Sequence, residues 1–179
     1  MALNYSSAGE KKRISFGVGV LKIGPSGATP TTDVGFVRSA QLSVTRQKLE
    51  VFQGNPKTLV VQYVVQEDVT FTTTGIEWSL DRLKDVFAAG TVTGSNYGFG
   101  GDVNLTEVAL QFTHQMPAGG TATLRIWKAN GQGEGTINFG DDVHEFPYGF
   151  RAVLADTNWA SVALAATEKL FQLQLDIPA

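Results

Sequence analysis

Cysteine is missing from the 179 residues, which excludes disulfides, thiolate metal sites and cysteine nucleophiles together. The fold has to stand on packing. Charge is also scarce, at 17% of residues, against roughly 25% in an average domain. With a formal net charge of −3 the chain has no basic face on which to hold nucleic acid by counterion release. Lys11, Lys12 and Arg13 form a short basic run, read as a solvated chain end rather than a phosphate site. No stretch approaches the roughly 18 apolar residues of a membrane span, and "MALNYSSAGEKKR" at the start lacks the apolar centre of a signal peptide. The expectation is a soluble intracellular synthesis product with no membrane partner.

What is abundant is glycine, 20 residues, and β-prone sequence. "PKTLVVQYVVQEDVTFTTTGIEW", Pro56 to Trp78, has no Gly or Pro between Lys57 and Thr74, whereas strands usually end after about five or six residues. Period two puts Leu59, Val61, Tyr63, Val65, Val69 and Phe71 on one face and Thr58, Gln62, Gln66, Asp68, Thr70 and Thr72 on the other. Glu67 falls on the apolar row, so a bulge or an exit from the core is expected there. At ~3.3 Å per residue such a strand reaches on the order of 55 Å, longer than a compact domain of this size. Half of it must pair outside the core or with another chain.

The rest of the chain reads as a series of strands around one helix, in a single domain over residues 1–179. Residues 13–24 form a strand in which Gly17 and Gly19 alternate with Phe16, Val18 and Val20; 24–33 is a loop. Residues 36–47 form a second strand, and Gln53-Gly54-Asn55-Pro56 turns the chain into the long one. The period then changes. Leu80, Leu83, Val86 and Phe87 make a helical stripe with Ser79 as its cap and Gly90 as its end. Residues 90–102 are a glycine-rich loop with a strand-like tip. Val108, Leu110 and Phe112 face inward on one strand, Ala122, Leu124 and Ile126 on the next, and a further strand covers "TINF". Another carries Phe146, Tyr148, Phe150, Ala152 and Leu154, with Pro147 at an edge or bulge. Residues 155–167 are ambiguous between loop and short helix. A last strand alternates Phe171, Leu173, Leu175 and Ile177 with Gln172, Gln174 and Asp176. The fold class is mainly β: an antiparallel sandwich or barrel of about eight strands with one flanking helix.

Catalytic chemistry finds little support. His114 and His144 lack zinc-ligand spacing, so no metal or cofactor is expected. Glu67-Asp68 and Asp141-Asp142 are adjacent carboxylates, and neighbours on a strand point to opposite faces, so neither pair converges on a substrate. "GFGGD" and "GQGEG" do not run from a strand into a helix as a dinucleotide loop does. Trp78, Trp127, Trp159 and most of the Phe residues lack the interleaved cations of a base-stacking platform and are read as core or interface.

Three pieces in order carry a resemblance: the turn with Glu50, Val51, Gly54, Pro56 and Lys57; the helix start with Glu77, Trp78 and Leu80; and "GGTATLRIWKA" followed by "EFPYGFRA". From about Gly35 to Ile177 the chain resembles the major tail tube proteins of tailed bacteriophages. The resemblance implies a structural virion protein, not an enzyme, made in the host bacterial cytoplasm and assembled as stacked hexameric rings. It also implies partners: further copies of itself, the tape measure, tail terminator and distal tail proteins, and double-stranded DNA passing without sequence-specific binding. On that reading Gln62, Gln66, Asp68, Thr70 and Thr72 are candidate lumen-facing positions. The N-terminal arm 1–13 and the loops 24–33 and 90–102 are candidate subunit contacts. A monomeric β-sandwich that binds a ligand, and a tube subunit of a secretion or bacteriocin particle, are the alternatives.

Overall fold

Turns rich in glycine and proline separate runs of alternating apolar residues, and in the computed structural model the runs among the described residues pair as antiparallel strands. The structure describes residues 17, 19–77, 79–101, 103–117, 119–133, 136 and 144–177. Its strands are β1 (Val20–Pro25), β2 (Thr32–Asp33), β3 (Val37–Gln53), β4 (Thr58–Gly75), β5 (Thr91–Thr93), β6 (Asn96–Gly98), β7 (Glu107–Gln115), β8 (Thr121–Gly131), β9 (Phe146–Ala152) and β10 (Gln172–Asp176). One helix, α1 (Leu80–Phe87), lies between β4 and β5.

Eight strands make one antiparallel sheet in the order β2-β1-β7-β8-β9-β4-β3, with β10 also paired to β8; β5 and β6 form a separate ribbon. The expected fold class holds. β8 is shared along its length: Ala129–Gly131 pair with β9, and Thr121–Arg125 pair with β10. The sheet is curled, because Phe71 on β4 and Phe112 on β7, three strand positions apart, meet with ring centroids 5.6 Å from each other. A flat sheet would hold them roughly 14 Å apart. Inside the curl lie Leu21, Ile23, Phe71, Leu110, Leu124, Ile126, Phe146, Tyr148 and Phe150.

Leu83 and Val86 press α1 onto this core. Gly131 permits the approach: the carbonyl oxygens of Asp85 and Val86 occupy the space where its Cβ would stand. The helix ends earlier than expected, on Ala88 in the left-handed region (φ 52°), and Ser79 makes no side-chain cap bond. Gly90 is needed for another reason, since a Cβ there would lie 2.8 Å from the Tyr97 ring of β6.

Several expectations change. Residues 24–33 are partly regular, with β1 running to Pro25 and β2 pairing back on it, and residues 90–102 hold the β5–β6 ribbon. Residues 155–167 form no helix; a lone bridge joins Thr157 to Ala163. Leu154 is 60% exposed rather than inward, because β9 stops at Ala152 and the chain turns away. Pro147 pairs with Thr74 of β4, in a part of β9 that β8 does not reach. Residues 137–139 of the "TINF" strand, Trp78, Asp141-Asp142 and the N-terminal arm 1–13 lie outside the described residues.

Candidate assembly and channel surfaces

The long strand pairs with an almost equally long neighbour. β3 and β4 form one hairpin from Val37↔Gly75 to Gln53↔Thr58, so the second strand runs on past residue 47 to Gln53. β9 supports only its base, from Thr70 to Gly75 of β4. Beyond that the hairpin projects as a two-stranded spur, residues 45–68, roughly 30 Å long at ~3.4 Å per residue. The half that leaves the core is the one before Glu67, where the sequence places a bulge or an exit.

The bulge lies two residues away, at Val65. Gln47 pairs with Gln66 and Lys48 with Val64, leaving Val65 as the extra residue; Val60 is a second, between Val51↔Val61 and Phe52↔Leu59. Cross-strand partners share a face and β3 has no extra residue in this stretch, so the faces can be read from β3. Up to the bulge, the core side carries Leu42/Phe71 and Val44/Val69, and the outer side Gln41/Thr72, Ser43/Thr70, Thr45/Asp68 and Gln47/Gln66. Past Val65 the rows exchange. The core side becomes Lys48/Val64 and Glu50/Gln62, and the outer side becomes Leu49/Tyr63 and Val51/Val61.

This corrects the expectation of one apolar row from Leu59 to Phe71 and one polar row from Thr58 to Thr72. An extra residue on one strand shifts its parity against the partner, and sequence alternation alone cannot register that. Four of the five candidate lumen residues, Gln66, Asp68, Thr70 and Thr72, stay together on the outer face. Gln62 lies on the opposite side, its amide donating to Glu50 at 2.7 Å.

The outer face around those four is hydrophilic and nearly neutral. Its cation, Arg151, pairs with Thr70 in the ladder and donates through Nε to Asp68 at 2.7 Å. Glu67 points the other way and meets Arg46 at 2.8 Å, so the adjacent carboxylates diverge as expected. Asp68 is therefore not a free negative charge. Beside this face a cleft of about 690 Å³ is lined by Ser39, Gln41, Thr72, Thr74 and Gly149 among others.

The spur itself is apolar without being buried. Leu49, Val51, Phe52, Leu59, Val60, Tyr63, Val64 and Val65 are all between 41% and 61% exposed. Covering a Val, Leu or Phe side chain fully is worth about 1.5–3 kcal/mol, so these eight, about half covered already, withhold on the order of 8 kcal/mol. An isolated hairpin is marginal in water, and an apolar edge this long invites pairing with another chain. Periodicity alone could not single out this surface, since the same alternation serves a buried strand.

Neither a scan against protein-family models nor a search of curated proteins finds a match to the chain. Trp127 is buried and donates to the Glu168 carbonyl at 2.9 Å, with Trp159 edge-on at 4.9 Å, so these two rings pin the 153–170 segment to β8. His114 sits opposite Ala122 near the end of β7, and His144 just precedes β9. Among the described residues no group of three or more His, Cys, Asp or Glu is placed to hold a metal ion, and no helix is long and apolar enough to cross a membrane.

Proposed function

We propose that this protein is a structural, self-assembling subunit of a tube of the phage tail type, built from stacked hexameric rings whose channel conducts double-stranded DNA. The observation that carries the reading is the spur: eight half-exposed apolar side chains on a hairpin that leaves its own body. The order of the turn, helix and hairpin motifs supports the same class. The outer face of Gln66, Asp68, Thr70 and Thr72 is the candidate channel wall, with Gln62 removed from the set. Arg151, the cation beside these residues, is paired with Asp68, which suits a surface past which a polyanion slides, because a cation already held by a carboxylate offers little to a phosphate. Other tail proteins are the expected partners at the two ends of the tube, and the virion tail is the proposed location.

Negative-stain electron microscopy of the purified protein over a concentration series, with light scattering for mass, tests this. Rings or hollow tubes are the expected result. A monomer at every concentration, including after seeding with preformed tail tubes, overturns it in favour of a monomeric ligand-binding β protein.

A further inference from the structure

The sheet ends differently on its two sides. One edge is β2, two residues long, and a short edge strand offers little to another chain. The other is β3, 17 residues long and paired with β4 alone among the described strands. From Ser43 to Gln53 every residue of β3 is exposed. Native edges of this kind are blunted by Pro, by a bulge or by charge. β3 contains no Pro, and the extra residues of the spur, Val65 and Val60, both lie on β4. Charge is what remains: Arg46, Lys48 and Glu50, all turned to the core side.

These charges select a partner instead of repelling one. A second β3 laid antiparallel along the edge has to match it in parity, because alternate residues turn their N–H and C=O groups outward and alternate side chains share a face. Each two-fold arrangement is then centred on one residue. Centred on Lys48 it sets Lys48 against Lys48, on Glu50 it sets Glu50 against Glu50, and on Gln47 it sets Arg46 against Lys48; like charges directly opposite are destabilising. Of the centres on the spur, Thr45 to Gln53, only Leu49 opposes unlike charges and no like ones. Lys48 of each copy then meets Glu50 of the other. Lys48 makes no ion pair within the chain among the described residues, and the Gln62 amide takes only Oε1 of Glu50. On the opposite face Leu49 meets Leu49, each with Tyr63 beside it across its own hairpin. The apolar row of the spur becomes continuous over four strands.

The edges so paired run from Thr45 to Gln53, roughly 30 Å at ~3.4 Å per residue. They exchange about ten backbone hydrogen bonds, as many as a typical interface carries. The area covered is on the order of 300 Å² per copy, which puts the contact among the weak, reversible ones. Because the two hairpins run in opposite directions, the two bodies lie beyond opposite ends of the ribbon. The contact is closed, so it protects the edge without running on into fibres.

We propose that two copies of the free chain pair along β3, antiparallel and centred on Leu49, as a four-stranded ribbon β4-β3-β3-β4. The contact goes beyond the tube reading and does not rest on it: it joins identical surfaces, whereas neighbours in a ring meet through unlike ones. Single cysteines in this cysteine-free chain trap a weak pair and report its register. On mild oxidation of the unassembled fraction, Leu49→Cys cross-links to itself. Thr45→Cys and Gln53→Cys, which face each other in this register, cross-link as a mixture and not singly. All three positions are exposed, so unfolding midpoints should match the parent. In the Leu49→Cys background, Lys48→Glu or Glu50→Lys sets like charges opposite each other twice and should lower cross-linking roughly tenfold. A mixture of those two variants restores it. No cross-link at Leu49→Cys, equal self-pairing by Thr45→Cys or Gln53→Cys, or indifference to the charge changes overturns the contact. Parent tubes without the Leu49→Cys cross-link sink only this contact, whereas the cross-link without parent rings sinks only the tube.

Discussion

The base and the spur of the β3–β4 hairpin have the same backbone pairing and opposite fates. Leu42/Phe71 and Val44/Val69 belong to the same ladder as Leu49/Tyr63 and Val51/Val61, yet Phe71 and Val69 are each 2% exposed while Leu49 and Tyr63 are more than half exposed. β-branched content and cross-strand pairing are alike in the two halves, so they do not decide burial. The base has β9 beside it and a curled sheet over it; the spur has neither. The bulge at Val65 adds a second difference by turning the apolar row to the other side, where it cannot extend the chain's own core. Strand formation is local here, whereas burial depends on what the rest of the chain, or another chain, brings to the face.

The largest contrast expected from this comparison is between Phe71→Ala and Tyr63→Ala. The first empties a fully enclosed site against Phe112 and should cost about 3–5 kcal/mol in denaturant unfolding. The second removes a ring of similar size from the spur and should change monomer stability by no more than ~0.5 kcal/mol, while abolishing association in sedimentation. Comparable losses of stability for the two would show that the spur is part of the folding core and that the division drawn here is wrong.

Much of the base was legible from sequence, and much of the spur was not, for a physical reason. Leu110, Leu124, Ile126, Phe146, Tyr148 and Phe150 alternate and are buried as expected, because each lies on a strand with neighbours beside it and the curl of the sheet over it, and the irregularity between Val108 and Leu110 leaves both of those residues buried. The length of β4 was enough to infer that half of it leaves the domain. Its facing was not, since Val65 and Val60 are ordinary β-formers and only the partner strand reveals them as extra residues. Gln62 was misplaced among the channel candidates for that reason alone. Leu173 and Leu175 show the opposite case: they stand opposite Leu124 and Ala122, so their alternation is correct and their face is the core face, yet they are 60% and 49% exposed, and nothing in the alternation says the layer ends there. Gly90 and Ala88 exchanged roles because the close approach of Tyr97, not the helix, claims the glycine.

A smaller effect on the fold, with a large one on assembly, is expected from deleting Val65. Every cross-strand pair on either side keeps its partner, and only the local kink and extra twist disappear. The spur then leaves the body at a different angle. The unfolding midpoint should stay near that of the parent, while electron microscopy shows no rings or particles of altered curvature. Parent-like particles would mean that the direction set by the bulge is irrelevant to assembly. On the outer face where the base meets the spur, Asp68→Lys removes the partner of Arg151 and adds a cation, Thr70→Lys adds one cation, and Asp68→Asn only frees Arg151. DNA retention by assembled particles should fall in that order, with a salt slope that steepens by roughly 0.9 for each phosphate engaged. Equal retention by all three, or none by Asp68→Lys, would remove this face from the channel wall.

The smallest effect tests the same lesson in two carboxylates. Asp85 on α1 accepts from Arg82 at 2.9 Å and Asp156 accepts from Lys169 at 2.6 Å, so local chemistry alone would lower both pKa values. Burial reverses the first: desolvation under the helix raises the Asp85 carboxyl above 3.8 although Arg82 opposes it. The exposed Asp156 is lowered by its hydrogen bond and charge contact with Lys169. The consequences for stability have opposite signs. Where a folded pKa is raised, the native state takes up the proton first, so stability grows as pH falls through the raised value toward 3.8. Where it is lowered, stability is present above 3.8 and is lost as pH falls below it. Unfolding midpoints measured from pH 7 down to 4 should therefore rise in the parent relative to Asp85→Asn, and the gap to Asp156→Asn should close only below that range. Parallel curves for the parent and Asp85→Asn would show that Arg82, not burial, controls that site, and that packing against the body counts for less than the hairpin comparison requires.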